Sequence, residues 1–121
     1  MGRLNNDQRI RFAGALQRVG YDDDLLASLA QIAAEDAPLL MAQLERNVAA
    51  SNLEAVAATG HALKGLLSTY ETGSPVGELQ LLIDAARAGD QFEVEKVLSH
   101  QWPRLQKFIG EIQKLAECTT A

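Results

Sequence analysis

Large apolar side chains recur along the chain at intervals of three and four residues, broken by short polar or glycine-bearing stretches. That spacing lines one side of an α-helix; the strict alternation of a half-buried strand is sustained nowhere. Cap and breaker residues divide the pattern into pieces. Asn5 or Asn6 caps a short first helix reaching about Val19, with Gly20 just past its end. Tyr21-Asp22-Asp23-Asp24 opens the next piece, its carboxylates suited to the positive end of a helix dipole. Leu25, Leu29 and Ile32 then form an apolar stripe that shifts to Leu40, Leu44 and Val48 further on. Pro38 admits two versions. Either Asp36 caps a new helix with Pro38 in its first turn, or one helix over about 23–50 kinks at the proline.

Ser51 or Asn52 caps a helix with Val56, Leu63, Leu66, Leu67 and Tyr70 on one side. Glu71-Thr72-Gly73-Ser74-Pro75 reads as a loop, with Ser74 as cap and Pro75 at the first helical position of the next helix. That helix carries Val76, Leu79, Ile83 and Ala86 and stops at Gly89. Asp90 caps the last segment, where Val94, Leu98, Leu105, Ile109, Ile112 and Leu115 keep helical spacing; Pro103 kinks it or restarts it after Ser99. Four long amphipathic pieces joined by short loops predict an all-α antiparallel four-helix bundle with a short additional N-terminal helix. One domain over residues 1–121 is expected, with the bundle core over about 22–116 and a frayed tail at 117–121.

Composition agrees with a helical reading. The chain has 19 Ala and 18 Leu against 16 Val, Ile and Thr together, and β-branched side chains are the ones that favour strands. A net charge of −5 and a pI near 4.9 supply no electrostatic footprint for nucleic acid or anionic lipid. No apolar run is read as approaching the roughly 18 residues of a membrane span, and the N-terminal MGRLNNDQRIRF lacks the apolar core of a secretory signal. Cys118, the single cysteine, can form no internal disulfide. These features set the expectation of a cytoplasmic protein, monomeric because four segments close a bundle within one chain.

The helix after Asn52 breaks the usual rule for an exposed face. Taking Leu63 as zero and about 100° per residue, Val56, Leu67 and Tyr70 fall within roughly 40° of it, whereas His61 lies at about 160°. The histidine is therefore predicted to face solvent. Its helix-surface neighbours are Ala57, Ala58, Lys64, Gly65 and Ser68: four residues with almost no side chain and one lysine. A glycine inside a helix costs about 1 kcal/mol relative to alanine, and here Gly60 and Gly65 flank the histidine. The pattern predicts close approach by something large. Imidazoles titrate near neutral pH and are good nucleophiles there, so phosphoryl transfer through His61 is the chemistry that fits. Lys64, one turn away, would offset phosphoryl charge.

His61-Ala62-Leu63-Lys64-Gly65 reads H-x-x-K-G and resembles the signature of histidine-containing phosphotransfer (HPt) domains of bacterial multistep phosphorelays. Asn52-Leu53-Glu54-Ala55-Val56 before it, and Leu79 through Ala88-Gly89-Asp90 after it, resemble the flanking pattern; at the level of helix layout the likeness covers about 20–116. The resemblance implies that His61 takes phosphate from the phospho-aspartate of one receiver domain and passes it to another. It implies partners among the receiver domains of response regulators or hybrid sensor kinases, with no autonomous kinase activity. It also implies that Lys64 steadies the phosphoryl group, that Gly65 leaves room for the receiver, and that Ala57, Ala58 and Ser68 complete the docking face. The magnesium of such exchanges belongs to the receiver, so no metal ligand and no cofactor are expected here. The chain departs from the family pattern at Leu66, Leu67 and Thr69, and in the longer turn at Glu71–Pro75.

Other readings stand beside this one. The domain could be a helical interaction module that binds and inhibits a receiver or another signalling partner, with His61 incidental. A third is the dimerising hairpin of a sensor kinase, which draws its bundle from two chains. His100 is read as structural or solvent-facing, Trp102 and Phe108 as core or kink-filling, and the Asp22–Asp24 run as helix capping, since it lacks the spacing of a calcium loop.

Overall fold

The computed structural model describes residues 4–118, and among these it contains six helices and no strand. They are α1 (Asn6–Arg11), α2 (Ala13–Arg18), α3 (Asp23–Ala49), α4 (Leu53–Leu67), α5 (Leu79–Arg87) and α6 (Gln91–Ala116). The fold is an all-α helical bundle: α3 packs against α4 and α6, and α5 packs against the same two helices. Helices α1 and α2 lie across one end.

The first piece divides in two because of Phe12. Asn5 caps α1 through a reciprocal pair of hydrogen bonds with Gln8, at 2.8 and 3.0 Å. Phe12 then leaves helical geometry and turns into the core, where its ring meets Tyr70 edge-on at 6.4 Å and Phe108 at 6.3 Å. Arg11 beside it bonds Glu71 at 2.8 Å and Glu111 at 3.2 Å, tying α1 to the loop after α4 and to α6.

Helix α3 runs unbroken through Pro38, so Asp36 caps nothing; Asp22 is the cap, accepting the Leu25 N–H at 3.0 Å. A proline inside a helix removes one N–H and crowds the preceding turn, and packing of Ala37 and Met41 on either side holds the helix through it. Of the apolar stripe expected from Leu25, Leu29 and Ile32, only Leu29 packs against the core, half-buried. Leu25 and Ile32 are 44% and 55% exposed, and Leu39, seven residues further, is 63% exposed. The buried side is Leu26, Ala27, Ala30, Ala33, Ala37, Met41, Leu44 and Val48. Four alanines let neighbouring helices come close, since side-chain bulk at the contact sets the spacing of packed helices. By length and composition α3 would also pass as a membrane-crossing helix, against the sequence expectation that no run comes near that length.

Asn52 rather than Ser51 caps α4. Ser51 instead closes α3: at φ 53° it sits in the left-handed region, with its N–H on the Val48 carbonyl and the Asn52 N–H on that of Asn47. Glycines fill the same place after α2 and α5, Gly20 at φ 69° and Gly89 at φ 73°. The start of α5 also differs from expectation. Ser74 bonds Arg104 on α6 and so is not a cap, the Ser74–Pro75 peptide is cis, and the helix begins at Leu79. Glu78, before it, pairs with Arg104 as well. Helix α6 is continuous through Pro103, with no restart after Ser99. Of the residues expected in a frayed tail, Glu117 is the C-cap of α6 and Cys118 is half-buried, its Sγ donating to Gln8 Oε1 at 3.3 Å; 119–121 lie outside the described residues.

Candidate functional site

Helix α4 is fixed on both flanks. Asn47 of α3 donates from Nδ2 to the Thr59 hydroxyl at 3.1 Å, and Val56, Leu63 and Leu67 are fully buried. With that side anchored, the wheel position of His61 turns it outward: the residue is exposed, and its ring makes no hydrogen bond or ion pair among the described residues. Ala58, Ala62 and Gly65 are exposed around it. The imidazole thus stands on a shallow surface of methyl groups and bare backbone.

The two glycines beside His61 separate into different roles. A Cβ on Gly65 would meet nothing within 4 Å, so its lack of a side chain serves no contact inside this chain. A Cβ on Gly60 would come to 3.1 Å from Ile83 Cγ1. Gly60 is a packing glycine where α4 crosses α5, and the expectation that it opens space for an outside molecule is corrected. Ala57 is corrected too. It is buried, seven residues before Lys64 and hence on the side of α4 that meets α5, so it cannot belong to a docking face. Ser68 is half-buried, and its hydroxyl donates to the Gly65 carbonyl at 2.8 Å, serving the end of α4.

Lys64 is not a loose surface cation. Its Nζ donates to Gln80 Oε1 at 2.8 Å, and the Gln80 amide in turn donates from Nε2 to Asp84 Oδ1 at 2.8 Å. Gln80 and Asp84 were not singled out from the sequence. The signal was present in their i, i+4 spacing on α5, a pairing that lets a glutamine bond an aspartate along a helix face, on the polar flank beside the buried Leu79, Ile83 and Ala86.

The remaining candidates lie elsewhere. His100 is exposed on α6, beside a cleft lined by Lys96, Gln101 and Arg104. Trp102 is half-buried against α3 next to Pro38 and Met41, and Phe108 is in the core. Of the acidic run, Asp22 caps α3 and Asp23 pairs with Arg9. Among the described residues no cluster of His, Cys, Asp and Glu could hold a metal ion.

What α4 offers is an accessible nucleophilic ring, a tethered ammonium one turn along, and a small-residue surface that a bulky partner could approach. No protein-family model, no curated protein and no solved structure matches the chain.

Proposed function

We propose that the chain is a phosphocarrier of a two-component phosphorelay, in which His61 receives a phosphoryl group from the phospho-aspartate of one receiver domain and delivers it to another. In the first step the acyl-phosphate P–O bond breaks and a P–N bond forms to the imidazole; in the second the P–N bond breaks as the next aspartate attacks. The observation that carries the reading is Gly65, a glycine in the last turn of α4 with open space where its side chain would be, one turn from an exposed histidine. Nothing inside the chain uses that absence, whereas a partner placing an aspartyl phosphate in line with the ring would need it. The H-x-x-K-G resemblance supports the same conclusion. Lys64 contributes charge to the phosphoryl oxygens as the P–N bond forms and breaks. The docking receiver meets Ala58, Ala62 and Gly65, with the half-buried Leu66 at the edge of the contact.

The test is transfer of label from a panel of phosphorylated receiver domains, with His61→Gln alongside. The expected result is an acid-labile, alkali-stable label on the wild type and none on the variant. Binding of receivers by both proteins with no label on either would overturn the carrier reading and leave an inhibitory interaction module.

A further inference from the structure

The chain from Lys64 through Gln80 to Asp84 places a neutral amide between a cation and an anion that would otherwise be partners. We infer that Gln80 is the positioning residue of the site: it holds the Lys64 ammonium in one place while keeping it from forming an ion pair with Asp84. The use of that arrangement toward a phosphoryl group rests on the carrier reading above.

Three features of the geometry lead there. First, the amide orientation is settled. Asp84 has only acceptor oxygens when ionised, so the group facing it must be the NH2, and Oε1 is left facing Lys64. Second, the tether is inexpensive in charge. A direct Lys64–Asp84 contact would neutralise the ammonium, but the Gln80 carbonyl takes one of its three N–H donors and no net charge, leaving two donors for an arriving anion. Third, the tether removes freedom. A lysine side chain carries rotamer entropy that must be lost whenever its ammonium is held against a ligand. Bonded to a different helix, Lys64 has lost part of that freedom before any phosphoryl group arrives. Lys64 and His61 are three residues apart on α4, so the fixed ammonium flanks the ring from the α5 side.

The experiment uses the full chain with potassium phosphoramidate as the phosphoryl donor, which needs no partner protein. Its P–N bond breaks as a P–N bond to His61 forms, and the imidazole proton leaves on ammonia. The rate of phosphohistidine formation is measured alongside the chemical shift and order of the Lys64 Nζ signal in 15N-lysine NMR. Gln80→Ala is a safe substitution in a helix. It should move the Lys64 Nζ signal, as the ammonium turns to Asp84, and slow labelling about three- to tenfold, whereas in a Lys64→Ala background it should change the rate less than about 1.5-fold, within the usual additivity error. Adding Asp84→Asn to Gln80→Ala should recover at least half of the lost rate, because the neutral amide no longer captures the ammonium. A Lys64 signal unmoved in Gln80→Ala, an equal loss of rate with and without Lys64, or no recovery with Asp84→Asn would each overturn the inference. A wild type that takes no label from phosphoramidate or any receiver would refute the carrier reading instead. The tether then stands on a Lys64 signal that moves between the wild type and Gln80→Ala, and falls if the two are alike.

Discussion

Gly65→Ala should raise stability and lower function, and the two effects come from the same empty space. A glycine in a helix interior is less favourable than alanine by about 1 kcal/mol, chiefly through the backbone freedom it loses on folding. Position 65 lies in the last turn of α4, two residues before its end, so about 0.5–1 kcal/mol is the gain to expect there. No clash subtracts from it, because the new methyl meets nothing within 4 Å. For a domain of this size that gain moves the thermal midpoint up by about 2–4 °C. In urea it raises the midpoint of unfolding and leaves the slope unchanged, since the surface exposed on unfolding hardly alters. Circular dichroism at 222 nm follows both transitions. In phosphotransfer from a receiver the same variant should lose rate through weaker docking, while labelling by phosphoramidate stays near wild type. Loss of stability in Gly65→Ala would refute the argument by showing that the position is filled in the folded chain. Gain of stability with undiminished transfer from every receiver would refute the claim that the bare backbone serves a partner.

Two further outcomes follow from the caps and ion pairs. Ser51→Gly should stabilise the protein by about 0.5–1 kcal/mol in urea titrations, because a serine at φ 53° pays a steric cost that Gly20 and Gly89 avoid in the equivalent turns. The Arg11 hydrogen bond, helped by the Gly73 N–H, holds the Glu71 carboxyl below its ordinary value of 4.5. A lowered folded-state value gives stability that is present above pH 4.5 and lost as pH falls through the lower value in the folded protein. Glu71→Gln should therefore be less stable than wild type at pH 7 and approach it toward pH 3, as read by urea midpoints across that range; a constant difference would sink the assignment.

The all-helical class, most caps and the outward position of His61 were legible because they depend on local rules. Asn5, Asp22, Asn52 and Asp90 each cap the helix that follows by bonding an N–H three residues on. The face of α3 was not legible. Leucines and isoleucine at 25, 29 and 32 form the larger apolar stripe, but the bundle buries the alanine side, and which side is buried depends on how closely α4 and α6 must approach. A single helix carries no record of its neighbours' distance. The same limit hid the difference between Gly60 and Gly65, since only Ile83 on α5 tells them apart. It hid the use of Ser74 as well, whose hydroxyl goes to Arg104, thirty residues away. The function itself rests on a five-residue resemblance and on the open face of α4.

The 3.1 Å approach of Ile83 to the missing Cβ of Gly60 has a consequence for how this domain can vary. A methyl at 60 requires Ile83 to give by a few tenths of an ångström and a larger side chain has to take its volume from 83, whereas trimming Ile83 alone to alanine would cost about 2–5 kcal/mol as an unfilled cavity. The two positions are thus a joint variable: each blocks the other's changes taken singly, and a path through sequence space must move both at nearly the same time. Gly65, with no such counterpart inside the chain, is free of that bond. If it covaries with anything, the correlated position should lie in another protein.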